Sequence, residues 1–174
     1  MIVLLTALVA PAPVWVMVAQ LDAAAMVGAA HQAVAQAMAS ARASVEASKK
    51  EEEAKVKLAA AEQKLAMAKK AADDAEKKAQ ATGKPEDRQR ADALRQKAEA
   101  AQRNLDASKK ALDEAHRKAE ETRKKAAADA KRVEGALQNA QSAIDRVENK
   151  PVEKERLQKQ LDEIKKAWGQ FYNR

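Results

Sequence analysis

The sequence predicts an all-α protein: a long antiparallel helical hairpin of the coiled-coil type, a short third helix packed at its base, and an apolar N-terminal segment. Charged residues make up 34% of the 174 residues and aromatic residues only 2%, which is typical of long helices rather than of a thick globular core. Small apolar residues recur at alternating spacings of three and four along two stretches, and a turn sequence separates the two stretches.

The longer stretch covers residues 91–147 and predicts a narrow apolar seam along one helix. Asp129 interrupts this seam clearly, whereas Ser108 and Thr122 are milder polar members of it. Charged residues and glutamine fill the positions between, so the rest of this helix is expected to face solvent. The predicted seam consists of Ala91, Leu94, Ala98, Ala101, Leu105, Ser108, Leu112, Ala115, Ala119, Thr122, Ala126, Asp129, Val133, Ala136, Ala140, Ala143 and Val147.

A turn is predicted at residues 82–87, between the two stretches. Gly83 can adopt the left-handed conformation that ends a helix, and Pro85 suits the first turn of the next helix. Glu86 and Asp87 then lie in that first turn, where the helix dipole favours acidic side chains. The preceding helix repeats the same spacing at Leu58, Ala61, Leu65, Ala68, Ala72, Ala75 and Ala79.

The two predicted arms have matching lengths, residues 22–81 and 88–149, so a short turn between them implies an antiparallel hairpin. Folding at the turn pairs residues whose numbers sum to about 170, and this register places His116 near Ala54. The expected apolar neighbours are Leu58 with Leu112, Leu65 with Leu105, and Ala72 with Ala98.

A third helix is predicted after a second break, where Asn149 or Lys150 ends the long helix and Pro151 begins the next. This helix is expected to pack beside residues 22–45 and 128–149, at the open end of the hairpin. Its predicted apolar face consists of Leu157, Leu161, Ile164, Trp168 and Phe171.

Residues 1–21 contain no charge, and three interpretations compete. A signal peptide would need a positive region before the apolar run, which is missing. A membrane segment is long enough at about 20 residues, although Pro11 and Pro13 would break a single helix. The third interpretation is a strap packed against another part of the protein or a partner subunit. We favour membrane or partner contact.

The next segment, residues 22–41, is expected to form a helix capped at its start by Asp22, whose carboxylate can accept from free backbone N–H groups. Its apolar stripe is expected to be wider than the coiled-coil seam, so that the helix is buried on more than one side, either in a bundle or in lipid. The predicted stripe consists of Met26, Ala29, Ala30, Val34 and Met38.

Candidate catalytic groups are sparse, and no enzyme activity, cofactor or metal site is predicted. The chain has no cysteine, and its two histidines, His31 and His116, are far apart in sequence. The net charge of +7 comes with acids interleaved among bases, which favours a solvated face over a surface that seeks an anionic partner. Nucleic-acid binding is unlikely, because no aromatic residue accompanies the basic ones.

Contact with a membrane or another protein chain is instead predicted at the apolar and aromatic residues near the two termini, and the chain is expected to form a homo-oligomer. Three of the four aromatic residues lie close to the C-terminus. Aromatic clusters of this kind serve either as packing anchors or as interface hot spots, and packing at the base is the favoured interpretation. The candidate contact residues are Leu4, Leu5, Val14, Trp15, Val16, Trp168, Phe171 and Tyr172.

The hairpin resembles the alanine-rich coiled coils of bacterial export and toxin proteins. Residues 57–65, 85–87 and 111–115 are similar to the coiled-coil domain of type III secretion translocators of the invasin class, and also to the long receptor-binding hairpins of colicins. The resemblance covers residues from about 50 to 145. It implies a protein that helps to move effectors, or itself, through a membrane.

We therefore expect three regions: a contacting segment at residues 1–21, the hairpin at 22–149 with its tip at 82–87, and the short helix at 150–174. The expected function is that of a non-enzymatic coiled-coil protein, bacterial and membrane-associated or secreted, which acts as a spacer or recognition arm in translocation, secretion or toxin-type machinery. The alternative is a soluble structural subunit of a homo-oligomer or filament, assembled through the apolar N-terminal strap.

Overall fold

A computed structural model describes the backbone of residues 14–148 and 150–172, and the side chains in these ranges from residue 22 onward. The described chain folds into three helices, α1 (Val14–Thr82), α2 (Pro85–Asp145) and α3 (Pro151–Tyr172). The predicted all-α hairpin with a short third helix is confirmed.

The described residues form two compact units, and both long helices contribute to each of them. The first unit contains the described residues up to Ser40 and from Lys125 onward. It is therefore built from three helical segments. The second unit, Ala41–Lys124, is a two-helix hairpin.

The turn of the hairpin has the predicted form. Gly83 has a φ of 67°, and its N–H donates to the carbonyl of Ala79 at 2.9 Å. After only two residues outside a helix, Pro85 begins α2. Near the start of α2, Asp87 accepts a hydrogen bond from the Thr82 hydroxyl at 2.7 Å and lies 3.2 Å from Lys78 Nζ. The hydrogen bond from Thr82 lowers the pKa of the Asp87 carboxyl most, and the Lys78 ammonium lowers it further.

The apolar seam holds the second unit together. Every seam position predicted in both long helices is buried or half-buried, and Leu65 and Leu105 are among the most deeply buried of them. The predicted register agrees with an ion pair across the hairpin, in which Arg95 Nη2 lies 3.1 Å from Glu76 Oε2. These residue numbers sum to 171.

The core of the first unit contains the bulky apolar residues. Ile144 of α2 and Leu157 and Leu161 of α3 are its largest fully buried side chains, together with Val133. Because α3 packs beside both long helices there, the predicted position of the third helix is confirmed. The residues of α1 that join this core are Ala23, Val27, Ala30, Val34 and Ala37.

Two sequence predictions about α1 and α2 are wrong, and a third is not met by contacts within the chain itself. Asp22 does not cap a helix, because α1 already begins at Val14 and continues through it without a break. The predicted wide stripe is not buried within the chain itself: Met26 is 41% exposed and Ala29 is exposed, because α1 buries only one narrow face in the first unit. Finally, α2 ends at Asp145, before the predicted stop, and the Val147 N–H donates to the Ile144 carbonyl at 3.0 Å.

Candidate functional site

The second unit contains a carboxylate inside its apolar seam. Glu51 is only 6% exposed, although glutamate is rarely buried without a charged partner. Its position follows from the sequence spacing, since Glu51 lies seven residues before Leu58 and fourteen before Leu65. A seven-residue repeat returns to the same face of a coiled-coil helix, so this glutamate points where leucine points further along.

Two cationic side chains and one imidazole surround the Glu51 carboxylate. Its Oε1 lies 3.1 Å from His116 Nδ1 and 3.3 Å from Lys55 Nζ, and its Oε2 lies 3.7 Å from Arg123 Nη2. An ionised carboxylate only accepts hydrogen bonds, so the Nδ1 of His116 carries the hydrogen in this contact. Two of these partners belong to α2, and the cluster therefore joins the two helices.

The cluster keeps the Glu51 carboxyl ionised. The hydrogen bond from His116 lowers its pKa, burial opposes this by raising it, and the hydrogen bond and charge of Lys55 lower it further. The net direction is downward from the usual 4.5. A lowered folded-state pKa means that the ionised form is bound more favourably in the folded protein than in the unfolded chain.

The arrangement fixes the register of the hairpin at this level. Arg123 Nη2 also donates to the Ser48 hydroxyl at 3.1 Å, so the contacts between α1 and α2 extend across one turn of α1. Sliding either helix by one residue would leave the buried Glu51 carboxylate without its partners, which is costly in an apolar seam. We assign this cluster the role of fixing the position of α1 against α2. The side of His116 that points away from Glu51 faces solvent.

Sequence reasoning reached only part of this cluster. The predicted register placed His116 near Ala54, whereas its ring contacts Glu51, one helical turn away. Glu51 itself was missed, because the apolar residues alone defined the seam. Its seven-residue spacing from Leu58 was the signal that could have found it.

A second buried carboxylate lies in the first unit. Asp129, which interrupts the predicted seam, is 4% exposed. Its Oδ2 has no hydrogen-bond partner within the described residues. Its Oδ1 lies 3.6 Å from Arg132 Nη1, a side chain that is largely exposed. Asp129 thus occupies a seam position without the compensation that Glu51 receives.

The predicted contact residues at the N-terminus are only partly within the described region. Leu4 and Leu5 lie outside the described residues. Val14, Trp15 and Val16 belong to the first turn of α1, but their side chains are also outside the description. Their role in contact with a membrane or partner therefore stays a prediction.

The structure brings the three C-terminal aromatic residues together on α3. The ring of Trp168 lies 6.2 Å from that of Phe171 and 5.4 Å from that of Tyr172, measured between centroids. Trp168 packs against the core of the first unit, whereas Tyr172 is 69% exposed. The cluster thus has one side in the core and one side in solvent.

Neither a metal cluster nor a bilayer-spanning helix is present in the described part of the chain. No group of three or more histidine, aspartate or glutamate side chains there is placed to hold a metal ion. No helix in the same region is long and apolar enough to cross a membrane. In comparisons with known proteins, no family model, curated protein or solved structure matches this chain.

Proposed function

We propose that the protein is a non-enzymatic coiled-coil protein that associates with a membrane through its uncharged N-terminal segment. Its charged hairpin then acts as a spacer or recognition arm, in machinery of the translocation, secretion or toxin type. The observation that carries this proposal is the abrupt change in charge along the chain. Residues 1–41 contain one formal charge, at Asp22, whereas residues 42–87 contain eleven basic and ten acidic groups.

The surface of α1 in the first unit supports the proposal. Ala24, Ala25, Met26 and Ala29 are exposed there, and no charged residue lies among them. A helix with such a weakly polar outer face is compatible with lipid or with a protein partner on that side.

The hairpin of the second unit suits a spacer. Within that unit α1 runs for residues 41–82, or about 60 Å at ~1.5 Å per residue. Its seam is rich in alanine, which combines high helix propensity with close approach of the two backbones.

Flotation with vesicles of zwitterionic phosphatidylcholine tests the membrane assignment. Uncharged lipid is chosen because the net charge of +7 would draw the chain to anionic vesicles for purely electrostatic reasons. We expect the full chain to float with the vesicles and Leu4→Glu/Leu5→Glu to stay in the dense fraction. The matched control is Val45→Glu/Val56→Glu, which places the same charges at exposed apolar positions of the hairpin and should float like the wild type.

Failure of the wild-type chain to float would contradict the membrane assignment. If that chain instead forms a defined oligomer that Leu4→Glu/Leu5→Glu abolishes, the N-terminal segment is an assembly strap between subunits.

A further inference from the structure

Between residues 57–82 of α1 and 85–113 of α2, the two edges of the hairpin in the second unit carry opposite net charge. At one edge the facing positions on α1 and α2 have residue numbers that sum to about 171, as in the Glu76–Arg95 ion pair. We call this edge the acidic face, because seven acidic residues and four basic ones lie along it. The acidic residues are Glu62, Asp73, Glu76, Asp92, Glu99, Asp106 and Asp113, and the basic ones are Lys69, Arg88, Arg95 and Lys109.

The opposite edge is basic and alanine-lined. A groove of about 490 Å³ lies along it, with Lys57 and Lys64 on the α1 side and Asn104 on the α2 side. A second groove of about 450 Å³ continues towards the turn, beside Lys78 and Arg90. We call this edge the basic face; its charged members are Lys57, Lys64, Asp74, Lys78, Glu86, Arg90 and Lys97, and its exposed apolar members are Ala60, Met67, Ala71, Ala93, Ala100, Ala107 and Ala111.

The basic face lacks the ion pairs that usually flank a coiled-coil seam. Lys64 faces Asn104, and Lys57 and Lys97 face alanines, at residue numbers that sum to 168. Among the described residues, Lys57, Lys64, Arg90 and Lys97 form no ion pair. Of the cations on this face, Lys78 is the one with a carboxylate partner, Asp87.

The apolar part of the basic face is also open. Met67 lies in its middle and is 72% exposed, between alanines that leave the groove shallow. Covering Met67 and the neighbouring alanines would remove apolar surface from water, which favours association. The first unit shows the same chain accepting a third helix beside its two long helices, where α3 packs.

We propose that the basic face of one hairpin docks against the acidic face of a second copy of the chain. Charge complementarity carries this inference: the cations that lack partners on one edge match the excess of acids on the other edge of the same unit. Since the two faces are different surfaces, the contact is heterologous, and each copy keeps one face free for the next. The proposal does not depend on the N-terminal segment.

Light scattering on the full chain and its variants, in one low-salt buffer, tests this docking. The basic-face variant is Lys57→Glu/Lys64→Glu, and the acidic-face variant is Glu62→Lys/Asp73→Lys. The matched control is Lys70→Glu/Lys77→Glu, which changes the net charge as much as the basic-face variant but at exposed positions on neither face. Circular dichroism checks that all variants remain helical.

We expect the average mass of the wild type and of the control to rise with concentration and to fall when salt is added. Each face variant on its own should keep the mass of its smallest species at every concentration. An equimolar mixture of the two should double that mass and grow no further, because each variant retains one functional face. The proposal is overturned if the wild-type mass ignores salt, if the basic-face variant assembles like the wild type, or if the mixed variants do not combine. In that case, the occupant of the groove is not a second copy.

Discussion

At the residue scale, the buried carboxylates of the seam differ in how they are compensated. Glu51 is surrounded by His116, Lys55 and Arg123, and its pKa is lowered mainly by the hydrogen bond from His116. Asp129 has one oxygen with no hydrogen-bond partner within the described chain. Buried polar groups stabilise a fold only when their hydrogen bonds are satisfied, so the two residues should respond to substitution in opposite directions.

Glu51→Gln is expected to lower the melting temperature at pH 7, because the neutral amide loses the charge-assisted contacts that the carboxylate makes with Lys55, Arg123 and the His116 N–H. The folded-state pKa of Glu51 lies below 4.5, so its contribution is complete above about that pH and is lost as the pH falls further. The difference in melting temperature between wild type and Glu51→Gln should therefore shrink from pH 7 to pH 3. Thermal unfolding followed by circular dichroism measures it.

Glu52→Gln is the matched control for that series. Glu52 pairs with Lys55 but is 70% exposed at its side chain, where an ion pair contributes little. An equal effect of the two substitutions at pH 7 would mean that burial of Glu51 in the seam has no particular role.

Asp129→Ala is expected to stabilise the protein by about 1–2 kcal/mol. The substitution removes a buried oxygen that lacks a partner, whereas the lost contact with the exposed Arg132 contributes little. Urea unfolding gives the change in free energy. Asp113→Ala, at an exposed position of α2, separates out the gain in helix propensity, which is no more than about 0.7 kcal/mol. Equal gains at both positions would contradict the penalty at Asp129.

The candidate site was only partly predictable from sequence at this scale. Ser108 and Thr122 fit the seam because their hydroxyls donate to carbonyls one turn back in α2, which hides their polarity. Predicting the role of Glu51 requires knowledge of the opposite helix, because only the fold brings His116 and Arg123 to it. Partners 65 and 72 residues away in sequence carry no local signal.

At the element scale, periodicity predicted the helices well, and residue types predicted the helix ends at Thr82, Pro85 and Pro151 but missed the start of α1 and the end of α2. The turn at Gly83 and Pro85 was predictable because only a few residue types suit those backbone positions. The start of α1 was not, since Asp22 has the chemistry of a cap yet lies within a helix that extends back to Val14. Local capping preference is weak compared with continuing an already formed helix.

Gly83→Ala is expected to destabilise the protein by about 1 kcal/mol. The φ of 67° places Gly83 in the left-handed region, which costs an alanine roughly that much. Open space surrounds the added methyl group, so the loss would come from the backbone rather than from a clash. Urea unfolding measures the change.

Gly135→Ala is the opposing control. Gly135 lies within α2 with open space around it, so alanine there should stabilise the helix by about 0.5–1 kcal/mol. The conformational explanation fails if both substitutions shift stability in the same direction.

At the scale of the whole molecule, the large apolar side chains are unevenly distributed. The first unit buries Ile144, Leu157 and Leu161 completely, whereas the seam of the second unit buries chiefly alanine besides Leu65 and Leu105. Alanine contributes little apolar area per residue, so the second unit depends more on helix propensity and on polar contacts between its helices. The spacing of Leu157 and Leu161 predicted their place on the apolar face of α3 without knowledge of the fold, whereas Ile144 was not among the predicted seam residues.

Hydrogen exchange followed by mass spectrometry should therefore show slower exchange in the first unit than along residues 58–75 and 94–112 of the second.

Leu161→Ala removes a side chain that is 0% exposed, so we expect the free energy of unfolding to fall by about 2–5 kcal/mol. The loss should be seen as faster exchange in α3 and in the segments of α1 and α2 that pack on it. Val152→Ala, at a position of α3 that is 82% exposed, should leave the pattern unchanged. Faster exchange by the same factor throughout both units after Leu161→Ala would mean that they unfold as one cooperative body. Acceleration confined to the first unit would mean that the alanine seam sustains the hairpin by itself, as its continuous burial predicts.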